Sequence, residues 1–237
     1  MNVILHKLLS VLFKDIINLI DQLVDIFLQL LAGLDHLGIG FDILLALWFS
    51  SRLLLPLLLT ATAGASDSAP LVAGVFSPPR LAPDFALAGS NGSELKLKSY
   101  HGKVVVLAFG FTSCPDVCPI TLATLAQAPK KLGAEGDAVQ VVYVTVDPER
   151  DDAGRMRAYL AAFDPTFIGG TGTAAQLEAV RSEYGIIATR HASGGSYVYA
   201  HSSFTYLIDR EGKLRALMPY GHTADDYVHD LRILMAK

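Results

Sequence analysis

The feature that most constrains the fold is a buried strand followed directly by both cysteines of the chain. Residues 104–109 read Val-Val-Val-Leu-Ala-Phe, an unbroken apolar run rich in β-branched residues, which is typical of a central strand buried on both faces. Cys114 and Cys118 follow on the next stretch, and Pro119 suits the first turn of a helix, where its missing N–H costs nothing. The sequence therefore predicts two sulfur atoms on the loop that joins a core strand to a helix.

This placement predicts reactive or metal-binding cysteines. Cys118 would lie at the start of the helix, where the backbone N–H groups favour a thiolate over a thiol. The thiolate is the form that binds metals and attacks disulfides. A purely structural disulfide between Cys114 and Cys118 is less favoured, because closing so short a loop stabilises a fold by only about 2 kcal/mol. A domain of this size can bury a core without such a bridge.

The charge of the chain excludes one class of partner. The 237 residues carry a formal net charge of −4, and no basic cluster is interleaved with aromatic residues. Nucleic-acid binding is therefore not expected. Both cysteines belong to one local motif, so the chain has no disulfide framework of the kind found in small secreted domains.

Residues 1–65 are predicted to form a hydrophobic N-terminal segment, either a signal peptide or a membrane anchor. Arg52, the leucine-rich run 53–59 and the small residues 61–65 are typical of a secretory signal and its cleavage site. The apolar runs on both sides of Arg52 are together barely long enough to span a bilayer. Residues 1–31 carry a stripe of polar side chains at helical spacing, which favours a membrane-surface or partner helix. A start of translation after residue 35 would leave only the signal.

Residues 66–82 are rich in Ala, Ser and Pro and are predicted to be a linker, and residues 83–237 are predicted to be the folded domain. Within this domain, predicted strands and helices alternate and are followed by a β-hairpin and a last helix. The predicted strands include 85–87, 94–97, 104–109, 139–146, an edge strand at 167–168, 204–208 and 214–218. This order is thioredoxin-like and predicts an α/β fold with a central mixed sheet flanked by helices.

Three stretches carry a specific resemblance. Residues 109–119 (Phe-Gly-Phe-Thr-Ser-Cys-Pro-Asp-Val-Cys-Pro), residues 144–151 (Val-Thr-Val-Asp-Pro-Glu-Arg-Asp) and His201 before a strand resemble the Sco/SenC family. That family comprises copper-binding proteins of mitochondria and bacteria that help assemble the copper site of cytochrome c oxidase. The resemblance runs from about residue 79 to the C-terminus.

The resemblance implies copper as the cofactor, with Cys114, Cys118 and His201 as its ligands. It also implies a copper-carrying partner, such as the copper-site subunit of cytochrome c oxidase. With the N-terminal segment, it predicts a location in the periplasm or at the extracytoplasmic face of the bacterial inner membrane. The segment would attach the domain to that membrane if it is not cleaved.

The expected sheet topology explains how His201 can reach the cysteines. In a thioredoxin-like sheet, the strand before the cysteines has one parallel neighbour, here ending at Asp147, and one antiparallel neighbour, here beginning near Phe204. The start of the antiparallel strand lies beside the end of the central one, so His201 is expected over Cys114 and Cys118. Two thiolates and an imidazole suit Cu(I), and Cu(II) with a further weak ligand. Zinc accepts the same donors with a water molecule.

Asp147 ends a strand next to the predicted site. Its carboxylate is expected either to hold a ligand in place or to contact a partner protein, although an Asp before a proline also commonly shapes a turn. Cys114 and Cys118 are also expected to form a reversible disulfide.

The main alternative function is a thiol–disulfide oxidoreductase acting on the cysteines of a partner. Two features argue against it. Three residues separate the cysteines here, whereas thioredoxin-type enzymes have two, and the position of their cis-proline holds His201, Ser202 and Ser203. We therefore predict a metallochaperone without catalytic residues, for which reduction of a partner's disulfide is a possible accompanying activity.

Overall fold

The computed structural model of the chain describes residues 70–236 and, before them, only Gln22 and Asp25, which are helical and exposed. Apart from those two positions, the predicted export or anchor segment at residues 1–65 lies outside the described residues. Among the described residues, no helix has the length and apolar character needed to cross a membrane. Residues 70–236 belong to one compact unit.

Residues 70–236 contain ten strands, four α-helices and two short 3-10 helices, at Leu97–Tyr100 and Gly133–Ala138. The strands are β1 (Gly74–Leu81), β2 (Ala86–Gly89), β3 (Glu94–Lys96), β4 (Val104–Gly110), β5 (Val139–Thr145), β6 (Ile168–Thr171), β7 (Ala188–Ser193), β8 (Ser196–His201), β9 (Phe204–Ile208) and β10 (Lys213–Pro219). The helices are α1 (Val117–Leu132), α2 (Ala153–Ala161), α3 (Ala174–Tyr184) and α4 (Ala224–Met235). Eight strands form one mixed sheet in the order β1-β10-β9-β4-β5-β6-β2-β3, and β7 and β8 form a separate hairpin.

Strands β4 and β5 form the centre of the sheet, and every residue in both is buried. They run parallel, with Gly110 opposite Thr145 at the end next to the cysteine loop. On its other side, β4 pairs with the antiparallel strand β9, with Ala108 opposite Thr205. The predicted central strand and both of its predicted neighbours are confirmed. Such β-branched apolar runs suit this position because both faces of the sheet are covered.

The helices cover this sheet and complete the core. Helices α1 and α4 pack against each other, α4 also contacts β4, and α2 contacts β6. Helix α1 continues through Pro129 and buries Leu122, Leu125 and Leu132. The proline removes one backbone hydrogen bond without ending the helix. The predicted α/β class with a central mixed sheet flanked by helices is confirmed.

The predicted linker is wrong for residues 74–81. These residues form β1, which pairs with β10 at the edge of the sheet, with Gly74 opposite Leu217 and Leu81 opposite Lys213. The register shifts between Val75 and Arg80, a stretch that includes Pro78 and Pro79. Prolines are tolerated at an edge and at a bulge because they remove few sheet hydrogen bonds there. Because this edge strand is mostly exposed and contains two prolines, its composition resembles that of a linker.

The strand predicted at 167–168 is also placed differently. It is β6, and it lies inside the sheet between β5 and β2. A side chain at Gly169 would meet Met156, and one at Gly170 would meet Leu95. These close contacts favour glycine, a residue with low strand propensity. A prediction from residue types therefore stops at residue 168, although the strand continues to Thr171.

Candidate metal centre

Cys114 and Cys118 lie between the end of β4 and the first turn of α1, as predicted. Both are free thiols, with Cys114 half-buried and Cys118 buried. Cys118 is the second residue of α1, and Asp116 precedes that helix without a side-chain capping bond. The two sulfur atoms thus follow directly on a central strand that is buried at every residue.

The buried carboxylate of Asp151 fixes the start of the cysteine loop. It accepts hydrogen bonds from the Thr112 backbone N–H at 2.9 Å and from the Thr112 hydroxyl at 2.6 Å. A third bond at 2.6 Å comes from the Thr145 hydroxyl at the end of β5. Hydrogen bonds to a charged group contribute about 1.5–3 kcal/mol each. Asp151 therefore connects the loop to the neighbouring strand.

The sequence pattern does not predict this role for Asp151. The sequence predicts that either Asp151 or Asp152 caps the following helix, and Asp152 does so, accepting from the Arg155 backbone N–H at 2.7 Å. The Arg155 side chain instead donates to the Thr112 hydroxyl at 2.7 Å and to the Ser113 hydroxyl at 3.0 Å. The available signal in the sequence is the density of acidic residues directly after β5, with four acids among residues 147–152.

His201 ends β8, and its imidazole lies next to Cys118. Its Nε2 is 3.4 Å from the Cys118 Sγ, although the two residues are 83 positions apart. Its Nδ1 is 2.9 Å from the carbonyl oxygen of Ser202. That bond assigns the ring proton to Nδ1, so the lone pair of Nε2 faces the sulfur. His201 therefore lies beside Cys118, as predicted.

Burial controls the charge of both groups. It raises the pKa of the Cys118 thiol to about 12, although the nearby Tyr143 hydroxyl opposes part of this rise. Burial also lowers the pKa of His201, which favours the neutral imidazole. The prediction that Cys118 favours the thiolate is therefore wrong for the metal-free protein. The cost of burying the negative charge outweighs its stabilisation by the backbone N–H groups at the helix start. A metal bound at Cys118 must displace its proton.

Cys114, the remaining predicted ligand, does not form a complete metal site with Cys118 and His201 in the described structure. In the described part of the chain, no three His, Cys, Asp or Glu side chains are already arranged to hold a metal ion. The structure brings Cys118 and His201 together, and Cys114 is close enough to influence the pKa of the Cys118 thiol. A soft sulfur and a neutral imidazole nevertheless fit the preferences of copper. The structure therefore places two of the three predicted donors, Cys118 and His201, side by side.

The β7–β8 hairpin that carries His201 is attached to the loop after β5 through Asp147. Tyr197 of the hairpin donates a hydrogen bond from its hydroxyl to one Asp147 carboxylate oxygen at 2.9 Å. Arg150 donates to the other oxygen at 2.5 Å, and its guanidinium lies 3.9 Å from the centre of the Tyr197 ring. Asp147 is fully buried, so these contacts support a role in holding His201 more than direct contact with a partner.

The other histidines of the folded unit make local contacts or are exposed. His222 lies 3.4 Å from Asp226, and His229 lies 2.9 Å from Asp230, which also accepts the backbone N–H of Ala73. His191 is exposed on the same hairpin as His201. None of these three histidines lies at the cysteine loop.

Comparison with known proteins shows the family of this chain. Residues 76–236 match the family described as SCO1/SenC. The chain belongs to this family. The match begins inside β1, in agreement with the position of that strand in the sheet. The match of the central mixed sheet and its helices to solved Sco structures confirms the fold class of this SCO1/SenC protein.

Individual relatives support the same assignment. An SCO2-like protein of Rickettsia conorii is 37% identical over 133 residues, which cover 55% of this chain and 65% of the relative. The chain thus spans less than two thirds of the length of that relative. A solved structure of Bradyrhizobium japonicum ScoI with copper bound has a TM-score of 0.61 and 32% identity, covering 65% of this chain and 99% of that one. The yeast Sco1 structure with copper bound has a TM-score of 0.59 and 30% identity, covering 65% and 87%.

Proposed function

We propose that this SCO1/SenC protein binds copper through Cys114, Cys118 and His201 and helps to assemble the copper site of cytochrome c oxidase. The observation that carries the proposal is the neutral imidazole of His201, whose Nε2 lies 3.4 Å from the buried Cys118 sulfur. Zinc could use the same donors, but copper is the metal bound in the similar ScoI and Sco1 structures.

The donors suggest how Cu(I) would be loaded. Each cysteine thiol loses its proton and forms a sulfur–copper bond, whereas neutral His201 contributes a lone pair and loses no proton. Bond formation to the cation compensates for the burial that keeps Cys118 protonated in the metal-free protein. The acceptor would be the copper-site subunit of the oxidase or another copper-carrying protein. Its own soft ligands would replace Cys114, Cys118 and His201 on the copper ion.

The alternative is a thiol–disulfide oxidoreductase that acts on a partner's cysteines. Such an enzyme needs an accessible thiolate as the attacking group. Cys118 is buried and its pKa is raised to about 12, which makes it a poor nucleophile. These properties favour copper binding as the principal function, with Cys114 as the more accessible thiol for any accompanying reduction.

Copper titration of the full chain in mild detergent, beside an insulin reduction assay, tests this choice. We expect stoichiometric and tight Cu(I) binding, with negligible disulfide reduction. A variant with both cysteines replaced by serine should bind no Cu(I), because hydroxyl groups are poor ligands for that soft ion. Catalytic insulin reduction with only weak copper binding would instead select the oxidoreductase.

We also propose that residues 1–65 direct the folded unit to the periplasm or to the extracytoplasmic face of the inner membrane. The support is the sequence pattern of Arg52, the leucine-rich run and the small residues that follow. Cell fractionation with N-terminal sequencing should find the unit outside the cytoplasm, either retained on the membrane or cleaved near residue 65. Recovery from the cytoplasm with an intact N-terminus would contradict both forms.

A further inference from the structure

Tyr143 in β5 has a hydroxyl group that the fold does not explain. The side chain is fully buried, and its hydroxyl has no hydrogen-bond partner among the described residues. Buried polar groups are almost always paired, because leaving one unpaired is unfavourable. A phenylalanine ring would fill the same space without this cost. The hydroxyl therefore requires an explanation beyond packing.

The surroundings of Gly110 show where this hydroxyl points. A Cβ atom at Gly110 would come 2.8 Å from the Cys118 Sγ and would overlap the Tyr143 hydroxyl. Both atoms therefore occupy the space that a side chain at Gly110 would fill. Tyr143, Cys118 and His201 also line one small cavity. The lack of a side chain at the end of β4 lets the phenol approach the sulfur.

We propose that Tyr143 donates a hydrogen bond to the Cys118 sulfur when that sulfur is a copper-bound thiolate. A thiol is a weak acceptor, so Cys118 in the metal-free protein offers the hydroxyl no strong partner. A thiolate is charged and accepts a much stronger hydrogen bond. Tyr143 is then a positioning residue that acts on copper through the sulfur. This inference rests on the proposed copper site.

The chemistry of the two groups favours this direction of the bond. The Tyr143 hydroxyl carries a proton that it can donate, whereas a thiolate sulfur at Cys118 has none and can only accept. A hydrogen bond withdraws electron density from the sulfur and stabilises the thiolate relative to the thiol.

The test is Tyr143→Phe in the full chain, kept in mild detergent. Cu(I) affinity, measured by competition with a chromogenic chelator, should fall about tenfold, because a hydrogen bond to a charged group is lost only from the copper-bound form. The sulfur-to-Cu(II) charge-transfer band should move to longer wavelength, because the sulfur electrons lie higher in energy without the bond. The thermal stability of the metal-free protein should be unchanged or higher, because the substitution removes an unpaired hydroxyl.

Tyr227→Phe is a matched control. The Tyr227 hydroxyl lines the same cavity but is hydrogen bonded to the Thr205 hydroxyl at 2.9 Å. Its loss should lower thermal stability and leave the copper affinity and the charge-transfer band unchanged. Reduced stability of metal-free Tyr143→Phe, with unaltered affinity and band, would overturn the inference while leaving the copper site intact. Failure of the unsubstituted chain to bind copper would overturn the proposed function and the inference together.

Discussion

Replacement of His201 with alanine is expected to abolish or greatly weaken the Cu(II)–thiolate charge-transfer band, while Cu(I) affinity falls only modestly. Cu(I) tolerates two thiolate ligands, whereas Cu(II) prefers more ligands including nitrogen. Absorption spectroscopy of the Cu(II)-loaded protein and chelator competition for Cu(I) measure the two effects. The fold should survive, because His201 is half-buried at the end of a hairpin outside the eight-stranded sheet.

Two further variants make this result specific. His191→Ala removes an exposed histidine from the same hairpin and should change neither measurement. Asp147→Asn should weaken the band by an intermediate amount, because the carboxylate that accepts from Tyr197 and Arg150 loses its charge. An unchanged Cu(II) spectrum in folded His201→Ala would contradict the three-ligand site. Lower thermal stability with normal copper binding would show that His201 is structural.

Oxidation of Cys114 and Cys118 to a disulfide is expected to abolish copper binding. Both cysteines are free and lie four positions apart on one loop and its adjoining helix. A disulfide sulfur no longer has the thiolate charge that binds the metal. Copper titration after quantitative oxidation, with the loss of free thiols confirmed by a thiol assay, measures the effect.

Reduction of the same sample provides the control, because it should restore stoichiometric binding if the disulfide is reversible. A variant with only Cys114 replaced by serine cannot form this bridge, so its residual copper binding should not respond to the oxidant. Undiminished binding by fully oxidised protein would exclude both cysteines as ligands. Failure of reduction to restore binding would contradict the reversible couple.

Much of the fold and part of the site follow from the sequence alone. Residues 104–109 predict the central strand because a run that is apolar at every position can be stable only where both faces are covered. Their position before the cysteines places both sulfur atoms at one end of the sheet. The thioredoxin-like order then predicts the antiparallel neighbour, and with it the approach of His201 to Cys118. These predictions depend on local patterns and on simple rules of strand connection.

The remaining features depend on contacts between segments that are distant in the chain. The stretch 74–81 has the composition of a linker, and only its pairing with β10 makes it a strand. The helix start alone predicts a thiolate at Cys118, but burial by surrounding elements reverses the sign of the pKa shift. The roles of Asp147 and Asp151 likewise depend on which groups donate to their carboxylates. Desolvation and hydrogen-bond partners are properties of the assembled core, so the tertiary structure alone decided them.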